Sequence, residues 1–527
     1  MYRVHARFPV ARTMAGIVFI TLLASLNAAC DGSGSNNSVS NVETEPMEEV
    51  EVESVFTEHG CEIAIPQGFT AQDVRCGTLT APLNRDEPGG DTVNIEFGVI
   101  LARQSGVNED PFVYVPGGPG DESLSTFFAF DALDLLKSVN ETRDLVYFDP
   151  RGTGISTPSL ACPERREQAN AAYFTPGGAQ EDQLARLEGM QLCLERVMDA
   201  GTVISGYHSA AIAADLSEGL RALGYTQVNL WGTSYGGRIA QTLMRDFPEL
   251  VRSAILDAST MSDIRETDAA NFQLSINRVF AQCADSESCA ANYPDLENQF
   301  YSVIEQLNAE PAEAAITFEG AERIVYVSGD RFLGGIANAL NANSLLPLIP
   351  IAIANTAAGD YTLLRAIAPD LLSAFDSIAW GHYASVVCAE VAPYWSEAER
   401  QASNASVNPL ISAALDPISH GVDVDQCEFW QVDPRPAIAG ESILSDIPSL
   451  ILQGEYDVSV PQSYSERASE NLANSQYVLF PGFGHVVLPQ AFDAEGSSCA
   501  QQLLAEFLAT PNSLVDTSCL EELTQPF

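Results

Sequence analysis

The stretch that decides the fold is NLWGTSYGGRIAQTLM, which runs from Asn229 to Met244. It begins with an apolar run typical of a buried strand and continues as an amphipathic helical pattern. Between the two stands Ser234, with Gly232 before it and Gly236 after it. Glycines at these places permit a tight strand-to-helix turn that exposes the hydroxyl, as in the G-x-S-x-G arrangement of a nucleophilic serine. A plain turn serine has the same local pattern, so the interpretation depends on partners elsewhere.

A serine nucleophile requires a base, and the base requires an acid that orients it. In a strand-turn-helix setting of this kind, the acid follows the serine in the chain and the histidine comes last. Asp457 follows the apolar run LILQG, and His485 lies in a glycine-flanked loop after the run YVLF. We therefore predict a triad of Ser234, Asp457 and His485. A turn aspartate and a loop histidine are the alternatives. Glu455 and Asp446 are rival acids, but Asp457 lies further past the strand.

Attack on a carbonyl carbon needs N–H groups that already point at the oxygen on which charge develops. Tyr235, directly after the serine, is predicted to supply one of them through its backbone. The second is expected from the glycine-rich loop in VYVPGGPGDES, where Gly118 is the first choice and Gly117 the alternative. A plain turn is the other interpretation of this loop.

Short apolar runs alternate with helical patterns along the first half of the chain, as in NIEFGVILA, PFVYVPGG, DLVYFDPRG and then SAAIAADLSEGLRAL. This alternation predicts an α/β fold, with a mostly parallel sheet and helices on both faces. Ligand-binding groups gather at the carboxyl ends of the strands in such sheets. We predict a first core part at 60–260, a mainly helical cap insertion at 261–440 and a second core part at 441–527.

The charge of the chain excludes some classes of partner. Among 527 residues, 71 are acidic and 25 are basic, which gives a net charge of −46. Such a surface repels phosphate backbones, so no nucleic-acid partner is expected. The phosphate-binding GxxxxGK[ST] loop is absent, CxxC pairs are absent and the histidines are scattered. Neither a cofactor nor a metal is therefore expected.

The first 30 residues predict an export signal, because three arginines precede the apolar run MAGIVFITLLASL. The run is short for a membrane span. Its ending, LNAAC, resembles a bacterial lipoprotein signal, which implies a lipid on Cys30 and a place in the cell envelope. Plain secretion is the alternative. The segment 31–59 is rich in Ser, Asn and Glu and is predicted to be a disordered acidic tether. Membrane contact is expected only through the lipid.

The cysteines support export independently of the signal. Eleven cysteines are present, and without Cys30 an even number remains, as suits disulfides in an oxidising compartment. The spacing favours pairing between neighbours in the chain: Cys61 with Cys76, Cys162 with Cys193, Cys283 with Cys289, Cys388 with Cys427, and Cys499 with Cys519.

Taken together, these motifs resemble the α/β-hydrolase superfamily, and within it the secreted tripeptidyl aminopeptidases and prolyl-iminopeptidase-like serine peptidases. The resemblance covers roughly residues 60 to 520. It rests on PGGPG at Pro116, DPRGTGIS at Asp149, GTSYGG at Gly232, GEYDVSVP at Gly454, GFGH at Gly482 and the cysteine-flanked tail from Ser497 to Cys519.

The resemblance implies a serine aminopeptidase that acts on peptides with a free N-terminus through an acyl-enzyme. Such an enzyme must hold the substrate ammonium group with a carboxylate. Glu390 stands where the family carries an acid after a cysteine and is our candidate; an ordinary salt-bridged glutamate is the alternative. Asp121 and Glu122 replace the family's usual small residues after GGPG, and a carboxylate there could also bind an amine. A carboxylesterase or lipase, and a noncatalytic binding lipoprotein, are the competing functions.

Overall fold

The computed structural model describes residues 54–527, apart from residues 86, 88, 105, 126–135, 264, 374–376, 491–497 and 524–525. The predicted signal segment, Cys30 and residues 31–53 of the predicted tether lie outside this part of the chain. The end of the predicted tether is not disordered, because Val55–His59 form a strand that pairs with Val74–Pro82. The ring of Phe56 packs edge-on against Phe97 at 6.0 Å, and this contact helps to offset the ordering entropy.

The strands of the structure are β1 (Val55–His59), β2 (Val74–Pro82), β3 (Thr92–Ile100), β4 (Phe112–Val115), β5 (Leu145–Phe148), β6 (Val228–Thr233), β7 (Val251–Asp257), β8 (Ala312–Phe318), β9 (Ala321–Val327), β10 (Ser449–Gly454) and β11 (Ser475–Phe480).

The α-helices are α1 (Lys137–Asn140), α2 (Pro163–Tyr173), α3 (Ala179–Asp199), α4 (Ser209–Ala222), α5 (Tyr235–Asp246), α6 (Asp268–Asp285), α7 (Glu287–Asn292), α8 (Leu296–Ala309), α9 (Gly329–Asn341), α10 (Ile349–Ala357), α11 (Thr362–Ser373), α12 (Trp380–Glu390), α13 (Glu397–Ser403), α14 (Pro409–Leu415), α15 (Val422–Phe429), α16 (Gln462–Asn471) and α17 (Cys499–Ala509).

A nine-stranded sheet forms the centre of the fold, in the order β1-β2-β3-β5-β4-β6-β7-β10-β11. The strands from β5 to β11 in this order pair in parallel, and β1, β2, β3 and β5 pair antiparallel. Side chains alternate across the sheet as a strand's period of two requires. On β4, Val113 and Val115 join the core beneath α4 and α5, whereas Phe112 and Tyr114 join the core beneath α17. The predicted α/β sheet with helices on both faces is confirmed.

The segment between β7 and β10 contains the helices α6 to α15, which agrees with the helical pattern of that region. It also contains the hairpin β8-β9, which the sequence pattern did not reveal. This segment has an apolar core of its own, in which Phe272, Phe300 and Phe332 are buried. Because this segment has its own core, it can keep a fixed shape where it covers the edge of the sheet.

Ten cysteines form the five disulfides that the spacing favoured, each between neighbours in the chain. Five disulfides fit a protein of an oxidising, extracytoplasmic compartment. Within residues 54–527, as far as they are described, no helix is both long and apolar enough to cross a membrane.

Candidate active site

Ser234 occupies the turn between β6 and α5 with a φ of 53° and a ψ of −122°. This left-handed conformation is rare for a residue with a side chain and costs about 1–3 kcal/mol. Three backbone hydrogen bonds hold it: the N–H of Ser234 donates to the carbonyl of Asp257 at 3.0 Å, and the N–H groups of Gly237 and Thr260 each donate to the carbonyl of Ser234 at 3.1 Å. The strained turn places Ser234 directly before α5, outside the helix, where the residue lines a cavity.

The glycines after the serine allow α5 to begin against neighbouring backbone. A Cβ atom at Gly236 would stand 2.0 Å from the carbonyl oxygen of Val115, at the end of β4. A Cβ atom at Gly237 would stand 1.9 Å from Oγ of Ser259. Both distances are far below contact distance, so this turn requires glycine at both positions.

The structure brings the predicted acid and base together. Oδ2 of Asp457 lies 2.8 Å from Nδ1 of His485, and Asp457 is only 3% exposed. The other carboxylate oxygen accepts the N–H groups of Ser459 at 2.9 Å and Val460 at 2.8 Å. A carboxylate can only accept, so Nδ1 carries the proton and Nε2 is left as the base. The rival Glu455 instead accepts the N–H of Gly482 at 2.9 Å.

The electrostatic surroundings favour the charged form of His485. Burial disfavours the imidazolium, but the charge and hydrogen bond of Asp457, and the charges of Asp257 and Asp121, raise the pKa of His485 above its ordinary value. The imidazolium that forms when the histidine takes a proton is therefore stabilised.

Asp257, at the end of β7, is a site residue that the motifs did not single out. It is fully buried, and its carboxylate accepts the N–H groups of Val487 at 2.6 Å and Leu488 at 3.0 Å. Burial raises the pKa of Asp257 to about 6. Its place at the carboxyl end of a strand was visible in the sequence, but its contact with the histidine loop was not.

The glycine-rich loop lies against the nucleophile. A Cβ atom at Gly117 would stand 3.1 Å from Cβ of Ser234, and Gly118 has a φ of 101°. Asp149 anchors the end of this loop, because its carboxylate accepts the N–H groups of Ser123 at 2.8 Å and Leu124 at 2.9 Å. The loop is thus held beside the serine as the prediction for Gly117 and Gly118 requires.

Tyr235 is the first residue of α5, so its backbone N–H has no partner within the helix. It also follows Ser234 directly. Its N–H is therefore available to a ligand at the serine, as the predicted oxyanion role requires. The tyrosine side chain points elsewhere, since its hydroxyl lies 2.9 Å from Oγ of Ser209 in the core.

A cavity of about 930 Å³ lies between the sheet edge and the cap helices, and Ser234 and His485 both line it. Among the described residues, its wall carries four carboxylates and three guanidinium groups: Asp121, Glu122, Asp268, Asp423, Arg165, Arg166 and Arg186. Burial raises the pKa of Asp121 to about 6. In the described part of the chain, no group of three or more His, Cys, Asp or Glu side chains could hold a metal ion.

Glu390 does not have the predicted position. It is 1% exposed and does not line the cavity. Its carboxylate accepts the N–H of Ser209 at 2.9 Å and the hydroxyl of Ser209 at 2.6 Å, and it pairs with Arg238 at 3.1 Å. The carboxylate is fully engaged behind the nucleophile's helix, so the assignment of Glu390 to the substrate amine was wrong.

Comparison with known proteins agrees with this geometry. A family described as alpha/beta hydrolase fold matches residues 110–291, and a family described as TAP-like protein matches residues 414–519. The chain is 24% identical over 484 residues to the serine protease Hip1 of Mycobacterium tuberculosis, across 85% of this chain and 87% of that protein.

Two shorter similarities complete the comparison. The chain is 29% identical over 198 residues to the tripeptidyl aminopeptidase of Streptomyces coelicolor, across 35% of each protein. It is 27% identical over 271 residues to Carboxylesterase B of Mycobacterium tuberculosis, across 49% of this chain and 51% of that protein. With a nucleophile turn, an acid-base pair and a mostly parallel sheet in place, the chain is a serine hydrolase of the α/β-hydrolase superfamily with a TAP-like C-terminal part.

Proposed function

We propose that this serine hydrolase is an aminopeptidase that releases short N-terminal fragments, of the tripeptidyl or prolyl type. The observation that carries the proposal is the cavity that joins the nucleophile to carboxylates. Ser234 lies in its wall together with Asp121, Asp268 and Asp423. A substrate ammonium group needs such a partner when it leaves water. The relatives named as a serine protease and a tripeptidyl aminopeptidase support the same activity.

In the proposed mechanism, Nε2 of His485 takes the hydroxyl proton of Ser234 as Oγ attacks the carbonyl carbon of the scissile peptide bond. Asp457 orients the imidazole and stabilises the imidazolium. The oxygen of the tetrahedral intermediate accepts the N–H groups of Tyr235 and Gly118. His485 then returns the proton to the leaving amine. Water, activated by the same histidine, hydrolyses the acyl-enzyme.

Asp423 and Asp268 are proposed to bind the substrate ammonium group in place of Glu390. Asp423 accepts the hydroxyl of Tyr383 at 3.1 Å and the side-chain amide of Gln426 at 3.2 Å, and it lines the cavity. Burial and the charge of Asp268 raise the pKa of Asp423 to about 7, although the hydrogen bond from Tyr383 and the charge of Arg165 act in the opposite direction. A bound ammonium group would stabilise the ionised carboxylate, so the site favours a cation at this place.

The experiment is a comparison of three chromogenic substrates, of which the two peptides share the same leaving amine. They are a short peptide with a free amine, the same peptide with an acetylated amine, and a short-chain aryl ester. The free-amine peptide is expected to have the highest kcat/KM, by about tenfold or more over the acetylated form. Equal turnover of the two peptides, with far faster ester hydrolysis, would contradict the aminopeptidase.

The nucleophile is tested by labelling with a fluorophosphonate probe. We expect Ser234→Ala to lose labelling and at least about 1,000-fold in kcat/KM, since the hydroxyl is the attacking group. The matched control is Ser377→Ala, because Ser377 lines the same cavity. This variant should label at the wild-type rate. Absence of labelling in folded wild-type protein would contradict both the peptidase and the esterase hypotheses.

A carboxylesterase is the second candidate, and it is favoured by the similarity to Carboxylesterase B. The same triad would cleave an ester, whose leaving alcohol needs less help from the histidine than a leaving amine does. That similarity covers 49% of this chain, compared with 85% for the serine protease Hip1. The substrate comparison above separates the two candidates.

We further propose that the protein is exported and that Cys30 carries a lipid. The five disulfides support export, since they persist in oxidising compartments. Expression in a bacterial host with labelled palmitate, beside Cys30→Ala, tests the lipid. Label in the wild type alone supports the proposal. A wild-type protein that is released into the medium without label would be a secreted enzyme.

A further inference from the structure

Among the described residues, Arg165 differs from the other buried arginines because it forms no ion pair with a carboxylate. It is only 8% exposed and lines the catalytic cavity. Across the described residues, no Asp or Glu side chain lies within ion-pair distance of it, and its Nε has no hydrogen-bond partner. Each of the other buried arginines has such a pair: Arg143 with Asp110, Arg151 with Asp215, Arg238 with Glu390 and Arg331 with Asp182.

A second guanidinium group accompanies Arg165 in the cavity wall. Arg186 lines the same cavity, and its Nη1 is buried without a hydrogen-bond partner among the described residues, although its guanidinium group also hydrogen-bonds to the side chain of Tyr173. Burial and the charge of Arg186 lower the pKa of Arg165 to about 9, although the charges of Tyr383 and Asp423 act in the opposite direction. Two guanidinium groups whose charges repel each other at a poorly hydrated site are stabilised when an anion binds between them.

The two helices that carry these arginines are fixed against each other. A Cβ atom at Gly189 of α3 would stand 2.4 Å from Cα of Arg165 on α2, so the helices cross at very short range. Arg186 lies three residues before Gly189 and therefore on the same face of α3. The disulfide between Cys162 and Cys193 joins the same two segments. The arginines are thus presented by a rigid pair of helices.

Arg165 is also connected, through Trp380, to the glycine-rich loop beside Ser234. Its guanidinium carbon lies 3.3 Å from the centroid of the Trp380 ring, a stacked cation–π contact that fixes the plane of the group. The residue before this tryptophan, Ala379, donates its N–H to the carbonyl of Gly120 at 2.9 Å. Gly120 belongs to the glycine-rich loop beside Ser234. The two arginines therefore belong to the same cavity as the reacting serine.

We infer that Arg165 and Arg186 form an anion subsite of the catalytic cavity, which binds a carboxylate of the substrate. This inference rests on the proposed peptide substrate and narrows it to peptides with an acidic side chain or a nearby terminal carboxylate. Guanidinium groups bind carboxylates with paired hydrogen bonds. The chain has a net charge of −46 and carboxylates share the cavity wall, so the two guanidinium groups are the part of this mixed wall that can attract an anion.

The experiment uses three substrate pairs that differ only in one carboxylate. The first pair has Glu or Gln in the peptide. The second has a free or an amidated carboxyl terminus. The third is the aryl hemiester of glutaric acid with the corresponding neutral aryl butyrate. We expect wild-type enzyme to hydrolyse the hemiester faster than the butyrate, and the charged peptide faster than the neutral one in one of the two peptide pairs. The expected ratio of kcat/KM is about tenfold or more, mainly because KM is lower for the charged substrate. The peptide pair that shows the preference identifies the source of the carboxylate.

Arg165→Gln and Arg186→Gln should each lower this preference to within about twofold of unity. Arg196→Gln is the matched control, because Arg196 lies on the same helix as Arg186 but pairs with Glu164 outside the cavity. It should keep the wild-type preference. Melting temperature and the rate of fluorophosphonate labelling show whether each variant is folded. If Arg165→Gln does not fold, Arg186→Gln decides the question, since Arg186 does not stack on the tryptophan.

The outcomes separate this inference from the proposed function. Wild-type enzyme that ignores the carboxylate in every pair, or a preference that survives Arg186→Gln, overturns the anion subsite. Peptide cleavage without a charge preference leaves the aminopeptidase intact and removes the subsite. Preference for the hemiester that depends on the arginines, without any peptide cleavage, supports the subsite and removes the aminopeptidase.

Discussion

Asp257 accepts the N–H of Val487 at 2.6 Å, although 230 positions of sequence separate the two residues. Val487 follows His485 by two residues, so this hydrogen bond ties the histidine loop to the end of β7. The same strand end holds Ser234, whose N–H donates to the carbonyl of Asp257 at 3.0 Å. One residue therefore fixes the positions of the nucleophile and the base relative to each other.

Asp257→Asn should lower kcat about 10- to 100-fold, with a smaller change in KM. An amide offers one acceptor where the carboxylate offers two, so one N–H of the histidine loop loses its partner at a cost of about 1–3 kcal/mol. Steady-state kinetics and the rate of fluorophosphonate labelling measure the effect. The control is Asp446→Asn. Asp446 is an exposed aspartate shortly before β10, the strand that pairs with β7. Wild-type kcat in Asp257→Asn would show that this anchor is not needed.

Asp121→Asn should move the acid limb of the kcat/KM profile to lower pH. His485 acts as a base only when it is neutral, so activity falls as the pH drops through its pKa. That pKa lies above the ordinary value partly because of the charge of Asp121, which is ionised above its own pKa of about 6. Loss of this charge lowers the pKa of His485, and the displacement of the acid limb should be small because Asp121 contributes less to this pKa than Asp457 does.

The control for this profile is Asp433→Asn, because Asp433 is exposed and does not line the cavity. Its acid limb should coincide with that of the wild type. An acid limb in Asp121→Asn that stays in place or moves to higher pH would contradict the assigned direction.

The sequence was sufficient to locate the candidate site residues whose positions follow from the ends of strands. Ser234, Asp457 and His485 each follow an apolar run, and the carboxyl ends of parallel strands meet at one sheet edge. Asp257 satisfies the same rule, yet its role depends on a contact with a loop far away in the sequence. Glu390 was misplaced because a position after a cysteine does not show which way a helix faces. The predicted disulfide between Cys162 and Cys193 indicated that the segments of α2 and α3 meet, but no local pattern showed that Arg165 and Arg186 line the cavity.

Glu390→Gln should destabilise the protein without changing its preference for a free amine. Glu390 pairs with Arg238 at 3.1 Å, and both side chains are buried. Neutralising one partner leaves an uncompensated charge, for which we expect a loss of about 3 kcal/mol in the free energy of unfolding. The comparison variant is Asp423→Asn, which should reduce the ratio of kcat/KM for free and acetylated peptides. A fall of this ratio in Glu390→Gln alone would restore Glu390 as the amine site.

Gly236→Ala and Gly237→Ala should both disrupt the nucleophile turn, but only the second should be rescued. At Gly236 the obstacle is the backbone carbonyl of Val115, 2.0 Å from the new Cβ, and no substitution removes it. At Gly237 the obstacle is the side chain of Ser259, whose Oγ lies 1.9 Å and Cβ 2.4 Å away. Ser259→Gly removes both atoms and should restore a substantial part of the labelling rate to Gly237→Ala. The same change should leave Gly236→Ala inactive, and rescue of both variants would show that side-chain crowding, not backbone contact, limits this turn.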